Sequence, residues 1–289
     1  MSVASHRDVH VRADPPHQCI EALLRAPVSA QEAWSAIAEP PQLRRWFGTL
    51  SSEFSAGGTT RIDFGDGDFL AVSVNRVAPP VQLQYTSRFL GIAPEALITW
   101  TITPCNEFDC EIHMRDEEPE RSRGESDWLA TRWDELLGRL ARFLETGAWS
   151  RSSWRDDVNA SIELPIPIAD ARALFGRAAQ TWWLPVDCAG LYPAASFTLE
   201  GGSELEVRGV ERVDADTIRL ALGHADWPET TACVLGLCAR SQGTLLEVHH
   251  SGFRGLPIDA RSCKRLRMHV VETWIATLER ATSRARLGA

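Results

Sequence analysis

Ile20-Glu21-Ala22-Leu23, leading into Ala26-Pro27-Val28, and Ile162-Glu163-Leu164-Pro165, leading into Ile166-Pro167-Ile168, open two stretches of the chain that read alike. Each runs into a helical segment and then into an aromatic pair, Trp46-Phe47 in the first stretch and Trp182-Trp183 in the second. Working outward, Phe54-Ser55-Ala56-Gly57-Gly58-Thr59 returns as Phe197-Thr198-Leu199-Glu200-Gly201-Gly202-Ser203, and Glu111-Ile112-His113 returns as Glu247-Val248-His249. The helical stretch around Trp133 has its counterpart around Trp274. The copies lie about 140 residues apart, too long a period for a solenoid repeat. Two copies of one domain follow, a count that suits a chain of 289 residues.

Within the first copy, Gln18 to Arg25 alternates as a strand. Val28 to Glu39 reads as a helix with Ser29 at its N-cap and Glu32 three residues on, a capping-box pattern. Pro40-Pro41 stops it and starts a short second helix. Strands are predicted over 53–56, 59–64, 69–77, 81–89, 96–103 and 107–114, with Gly, Pro and Asn between them. Leu129, Trp133, Leu136, Leu137, Leu140 and Leu144 then form one apolar face of a helix over 126–145, which Gly147 ends. The second copy repeats this order, with Val270, Val271, Trp274, Ile275 and Leu278 on one face of its last helix. The reading is α+β: two tandem helix-grip domains, each a curved antiparallel sheet wrapped around a long C-terminal helix, because sheet face and helix stripe each need apolar cover. Its bounds are a flexible arm over 1–17, a domain over 18–147, a linker over 148–157 and a second domain over 158–284. Where sheet and helix close incompletely, a hydrophobic cavity remains, a common kind of ligand site.

The formal charge of -9 argues against nucleic acid or an anionic membrane as partner, since both reward a basic face. Arg261, Lys264, Arg265 and Arg267 read as a solvated helix face. Lys264 is the only lysine, a bias toward arginine that suggests a GC-rich genome. Seven cysteines, an odd count without a dense framework or an apolar leader, point to a reducing cytoplasm. Cys233 and Cys238 are five apart and face opposite sides of one strand, so no metal site and no cofactor is expected.

Glu111 with His113, and Glu247 with His249, each share a strand face, but the apolar row Phe108, Cys110, Ile112 and Met114 assigns that face to solvent. His250 instead shares a row with Leu246 and Val248 and is the polar group expected to look inward. Tyr85 shares its row with Leu83, Ser87 and Phe89, and is expected to offer one hydroxyl to a cavity. Among the eleven tryptophans, flat rings suit a polycyclic or aromatic ligand. The expected ligand-binding residues are Tyr85, Trp100, Trp133, Trp46, Trp183, His250 and Trp274. No catalytic residue is assigned.

Ala26-Pro27-Val28 through Ala33-Trp34, Leu43-Arg44-Arg45-Trp46-Phe47, the Gly57-Gly58 turn, His250-Ser251-Gly252-Phe253, and Trp133 and Trp274 within the long helices resemble the START/Bet v 1-like (SRPBCC) superfamily. Within it, the likeness is to the Hsp90-ATPase-activator-like branch. The superfamily includes co-chaperone domains, lipid and hormone binders, polyketide aromatase/cyclases and proteins of enediyne antibiotic self-resistance. The resemblance implies binding or sequestration of a bulky hydrophobic or aromatic small molecule, with a secondary metabolite as the expected partner. A didomain aromatase/cyclase would instead need an inward acid or base such as His250, Tyr85 or Asp63. A chaperone-docking protein is the third reading.

Overall fold

Strand alternation, helix caps and two long apolar helix stripes organise this computed structural model, which describes residues 6–14, 17–121, 123–178, 196–198, 204–223 and 228–288. The chain divides into two compact units. One holds most of residues 1–153, and the other holds 154–289 together with Asp66–Asp68 and Ile92–Pro94.

The first unit is an antiparallel eight-stranded sheet. Its strands are β1 (His6–Asp14), β2 (His17–Ala26), β3 (Thr49–Leu50), β4 (Thr59–Asp63), β5 (Phe69–Ala78), β6 (Gln82–Phe89), β7 (Ala96–Pro104) and β8 (Cys110–Glu118), in the order β1-β2-β8-β7-β6-β5-β4-β3. Helix α1 (Ala30–Ala38) starts where the capping box predicts. The Ser29 hydroxyl accepts from the Glu32 amide at 3.3 Å, and the Glu32 carboxylate accepts from the Ser29 amide at 2.9 Å. Both bonds satisfy amides that the first turn leaves unpaired. Pro40 opens α2 (Pro40–Leu43), where its missing N–H costs nothing.

Helix α3 (Arg123–Thr146) lies against β1 and β2 and ends at Gly147, whose φ of +64° suits glycine. Its inward face buries Trp133, Leu137 and Leu140. Each such leucine contributes about 1.5–3 kcal/mol by leaving water.

Two strand expectations are corrected here. His6–Asp14, expected within a flexible arm, is β1 and pairs antiparallel with β2, with His6 opposite Arg25 and Asp14 opposite His17. The physical reason is a short alternation of Val9, Val11 and Ala13 with polar residues, together with a free edge on β2 to receive it. Residues 53–56, expected as a strand, form a loop. The ladder stops after Leu50 because the Thr60 hydroxyl bonds the Ser52 amide and carbonyl, and the Ser51 hydroxyl takes the Arg61 amide.

The second unit repeats the plan. Its elements are β9 (Val158–Leu164), α4 (Ile168–Ala178), β10 (Ser196–Thr198), β11 (Glu204–Arg212), β12 (Thr217–Gly223), β13 (Thr231–Arg240), β14 (Gly243–Ser251) and α5 (Ala260–Gly288). The sheet runs β10-β11-β12-β13-β14-β9, all antiparallel. Helix α5 buries Val270, Val271, Trp274 and Leu278. Arg267 departs from the solvated face assigned to it: it is fully buried, and its guanidinium meets the Asp68 carboxylate at 2.6 Å and the Asp157 carbonyl at 2.6 Å. A buried arginine persists only where such partners compensate its lost hydration. Among the described residues, no helix is long and apolar enough to cross a membrane.

Candidate functional site

In the first unit, β6 turns Leu83, Tyr85 and Ser87 toward the core, and β7 places Trp100 opposite Leu83. The segment after α2 brings Trp46 and Phe47 onto the same spot, and α3 adds Trp133 from behind. The rings meet at right angles or in parallel. Trp46 and Trp100 make an edge contact with centroids 6.3 Å apart, and Trp100 and Trp133 another at 5.8 Å. Phe47 stacks on Trp46 at 5.1 Å, and Phe54 lies nearly parallel to Tyr85 at 5.7 Å. Such pairs add to the stabilisation from burial alone.

Trp46, Phe47, Phe54, Tyr85 and Trp100 line, together with aliphatic side chains such as Ile62 and Leu83, a cavity of about 10 Å³, room for a single water molecule. Its wall is apolar apart from the Tyr85 hydroxyl and indole N–H groups already engaged nearby. Trp46 donates to the Ala36 carbonyl at 2.9 Å, and Trp100 to the Tyr85 oxygen at 3.5 Å. Burial raises the Tyr85 hydroxyl well above the usual phenol range, and the Asp116 charge adds to that, so it stays protonated and neutral. Around this cavity of the first unit, among the described residues, the aromatic side chains themselves take up most of the space.

Behind the rings lies a buried charge network. Trp133 donates to Asp116 at 2.8 Å, the other Asp116 oxygen takes Arg121 at 2.6 Å, and Arg121 reaches Glu118 at 3.3 Å. Burial opposes the charge on Arg121, but Asp116 and Glu118 outweigh it and hold its pKa above the usual value. Sequence reasoning missed these three residues. The available signal was the inward row of β8, which runs Cys110, Ile112, Met114 and on into Asp116 and Glu118. Two carboxylates in an inward row demand a cation nearby, and Arg121 follows at once.

The second unit sets His250 and Trp274 together. The Trp274 indole donates to His250 Nδ1 at 3.3 Å. That makes Nδ1 an acceptor and assigns the proton to Nε2, which then donates to the Thr231 hydroxyl at 2.8 Å. Thr231 donates in turn to the Leu222 carbonyl at 3.1 Å. Phe253 covers the imidazole, with centroids 4.7 Å apart. Burial, with a smaller push from His249, lowers the His250 pKa to about 3. The ring is therefore neutral near pH 7, with both nitrogens occupied, which suits packing and not proton transfer.

The seven expected ligand contacts thus fall into separate groups. Tyr85, Trp100, Trp133 and Trp46 come together in the first unit, and His250 and Trp274 in the second. Trp183 lies outside the described residues. Glu111 and His113 are on the solvated face, with Glu111 paired to Arg25 at 2.5 Å. Phe108, expected in the inward row of that strand, is exposed instead, because it falls in the turn where the Asn106 side chain accepts from the Phe108 and Asp109 amides ahead of β8. His249 is exposed and bonds Asn159 at 2.7 Å. Asp63 is half-buried beside Arg61 and away from the rings. Among the described residues, no group of three or more His, Cys, Asp or Glu side chains is placed to hold a metal ion.

A sheet gripping a long helix, built twice, with an aromatic-walled core in the first copy, defines a tandem helix-grip protein. Residues 27–145 match the family described as activator of Hsp90 ATPase homolog 1-like protein. The crystal structure of DynU16, a protein in the dynemicin biosynthetic locus, is 30% identical, with a TM-score of 0.83 over 93% of this chain and 99% of that one. The chain belongs to this Hsp90-activator-like family of the START/Bet v 1-like superfamily. CalU16 from Micromonospora echinospora is 18% identical, with a TM-score of 0.41 over 50% of this chain and 88% of its own. No curated protein matches the chain.

Proposed function

We propose that the first unit binds a mostly apolar aromatic small molecule, and that the protein serves to sequester a secondary metabolite within the cytoplasm. The observation that carries this reading is the aromatic wall around Tyr85: Trp46, Phe47, Phe54 and Trp100 meet there with no charged side chain on the cavity. Such a wall favours flat apolar rings and gives them few directional bonds. The full-length likeness to a protein of the dynemicin locus supports an enediyne-type antibiotic as ligand class and self-resistance or a biosynthetic accessory role as setting. The cavity holds only about one water in this arrangement, so binding requires one wall residue to yield.

Enzymatic cyclisation has weaker support. His250 is neutral with both nitrogens engaged, and the Tyr85 hydroxyl resists deprotonation. Neither group offers the titration near neutral pH that acid–base work favours.

The test is calorimetric titration of the full chain with dynemicin. Saturable binding is expected, and it should weaken at least about tenfold in Leu83→Trp, which fills the cavity. Absence of saturable binding, or binding indifferent to that substitution, would overturn the reading.

A further inference from the structure

We infer that the Phe54 ring is a resident occupant of the ligand site: it fills a subsite for one neutral, flat aromatic ring on the face of Tyr85, and a ligand ring enters by taking its place. This deepens the proposed function and rests on that reading.

The argument begins with how each wall residue is held. Tyr85 and Trp100 sit on the paired strands β6 and β7 and are almost wholly buried. Trp46 is fully buried and bonded to the Ala36 carbonyl, and Phe47 is wedged between Trp46 and Trp133. Moving any of them would break sheet or helix packing. Phe54 differs from all four. It lies in the loop between β3 and β4, is only half-buried, and is flanked by exposed residues from Ser51 to Gly57.

That loop is tied at both ends and not at Phe54. On one side, the Ser51 amide bonds the Arg61 carbonyl at 2.9 Å, and the Ser52 amide bonds the Thr60 hydroxyl at 3.2 Å. On the other, the Gly57 amide bonds the Val74 carbonyl at 2.8 Å. Gly57 has a φ of +76°, a conformation that glycine adopts without strain. The Ser55 carbonyl accepts from the Gly58 amide at 2.8 Å, so the span that can swing while the anchors hold is Glu53 and Phe54.

The contact that Phe54 makes is also the contact a ligand would make. Its ring lies 11° from parallel to Tyr85 with centroids 5.7 Å apart, an offset stack. Withdrawing a phenyl ring joins its volume to the existing gap. Enclosed apolar spaces of roughly 150 Å³ hold a benzene-sized guest. The lining carries no charged side chain, so the guest ring is neutral.

Because the site is competent only when Phe54 is out, its apparent affinity is reduced by the fraction of time the ring is in. The experiment compares toluene with methylcyclohexane, which is of similar size but puckered, on the full chain and on Phe54→Ala. Calorimetry and thermal melts give the readouts. Phe54→Ala should bind toluene about tenfold or more tighter than the parent chain, and prefer toluene over methylcyclohexane. Toluene should also raise its melting temperature toward that of the parent. Phe54→Leu, which keeps an aliphatic plug, should stay within about twofold of the parent. Equal toluene affinity in the parent and in Phe54→Ala, or no preference for the flat ring, would overturn the inference. The two proposals fail separately. Toluene uptake by Phe54→Ala with no dynemicin binding by either protein would leave the ring subsite standing and remove the functional reading. Dynemicin binding that is alike in both, with no gain for toluene, would do the reverse.

Discussion

Both units pin the long helix to the last strand with a tryptophan N–H, and they choose opposite acceptors. In the first, Trp133 of α3 donates to Asp116 of β8, a carboxylate neutralised by Arg121. In the second, Trp274 of α5 donates to His250 of β14, a neutral imidazole whose Nε2–H donates a hydrogen bond to the Thr231 hydroxyl. The shared need is physical: a buried indole N–H without an acceptor costs free energy, whatever the acceptor is. The difference is in what else comes along. A charged acceptor brings a buried arginine, whereas a neutral one brings only a hydroxyl. The first unit has thereby gained an ion pair behind its aromatic cage, and the second a chain of neutral hydrogen bonds from Trp274 through His250 and Thr231 to the Leu222 carbonyl.

The contrast can be broken most forcefully at Asp116. Asp116→Ala takes from the buried Arg121 the nearer of its two carboxylates, leaving Glu118, and takes the acceptor from the Trp133 N–H; it should cost about 3–5 kcal/mol in urea denaturation. His250→Gln, which loses a neutral partner, should cost only about 1–2 kcal/mol. Similar costs at both positions would erase the distinction. The next largest effect is on acid stability. The His250 pKa is about 3 in the folded chain against 6.5 for a free histidine, so the unfolded state takes up the proton first. The second unit should therefore lose stability as pH falls from 6.5 toward 3, by up to about 1.4 kcal/mol per pH unit, with no contribution from His250 above that window. Hydrogen exchange at β14 amides would read this slope, and His250→Gln should remove it. The smallest effect separates the two indoles directly. Trp133→Phe leaves an oxygen of a buried carboxylate short of a donor and should cost about 1 kcal/mol more than Trp274→Phe in the same denaturation assay.

Repetition, caps and strand rows made most of the architecture readable in advance. Period-2 alternation put Tyr85 inward, and the Ser29/Glu32 spacing located α1, because both patterns depend only on near neighbours in sequence. What escaped depends on partners brought in from afar. Asp116 gains meaning only when Trp133, in the next helix, and Arg121, beyond the strand end, fold back on it. Arg267 looked solvated because a helix surface pattern shows charge but not a carboxylate arriving from elsewhere in the sequence. Phe54 reads as part of a short strand over 53–56, and nothing local distinguishes a phenylalanine that stacks on Tyr85 from one in water. The strand β1 was hidden by its histidines, arginines and aspartates, which mask a short apolar alternation.

That strand also governs how the first sheet meets other chains. The outermost strand of a sheet carries backbone donors and acceptors able to recruit a stranger's strand, a hazard that folded proteins blunt with charge. Here that place is taken by β1, a stretch whose sequence carries Arg7, Asp8, Arg12 and Asp14, while the richer apolar run Ile20-Glu21-Ala22-Leu23-Leu24 is kept one strand further in. The amino-terminal residues act as a selvedge, finishing the weave so that it does not catch on its neighbours.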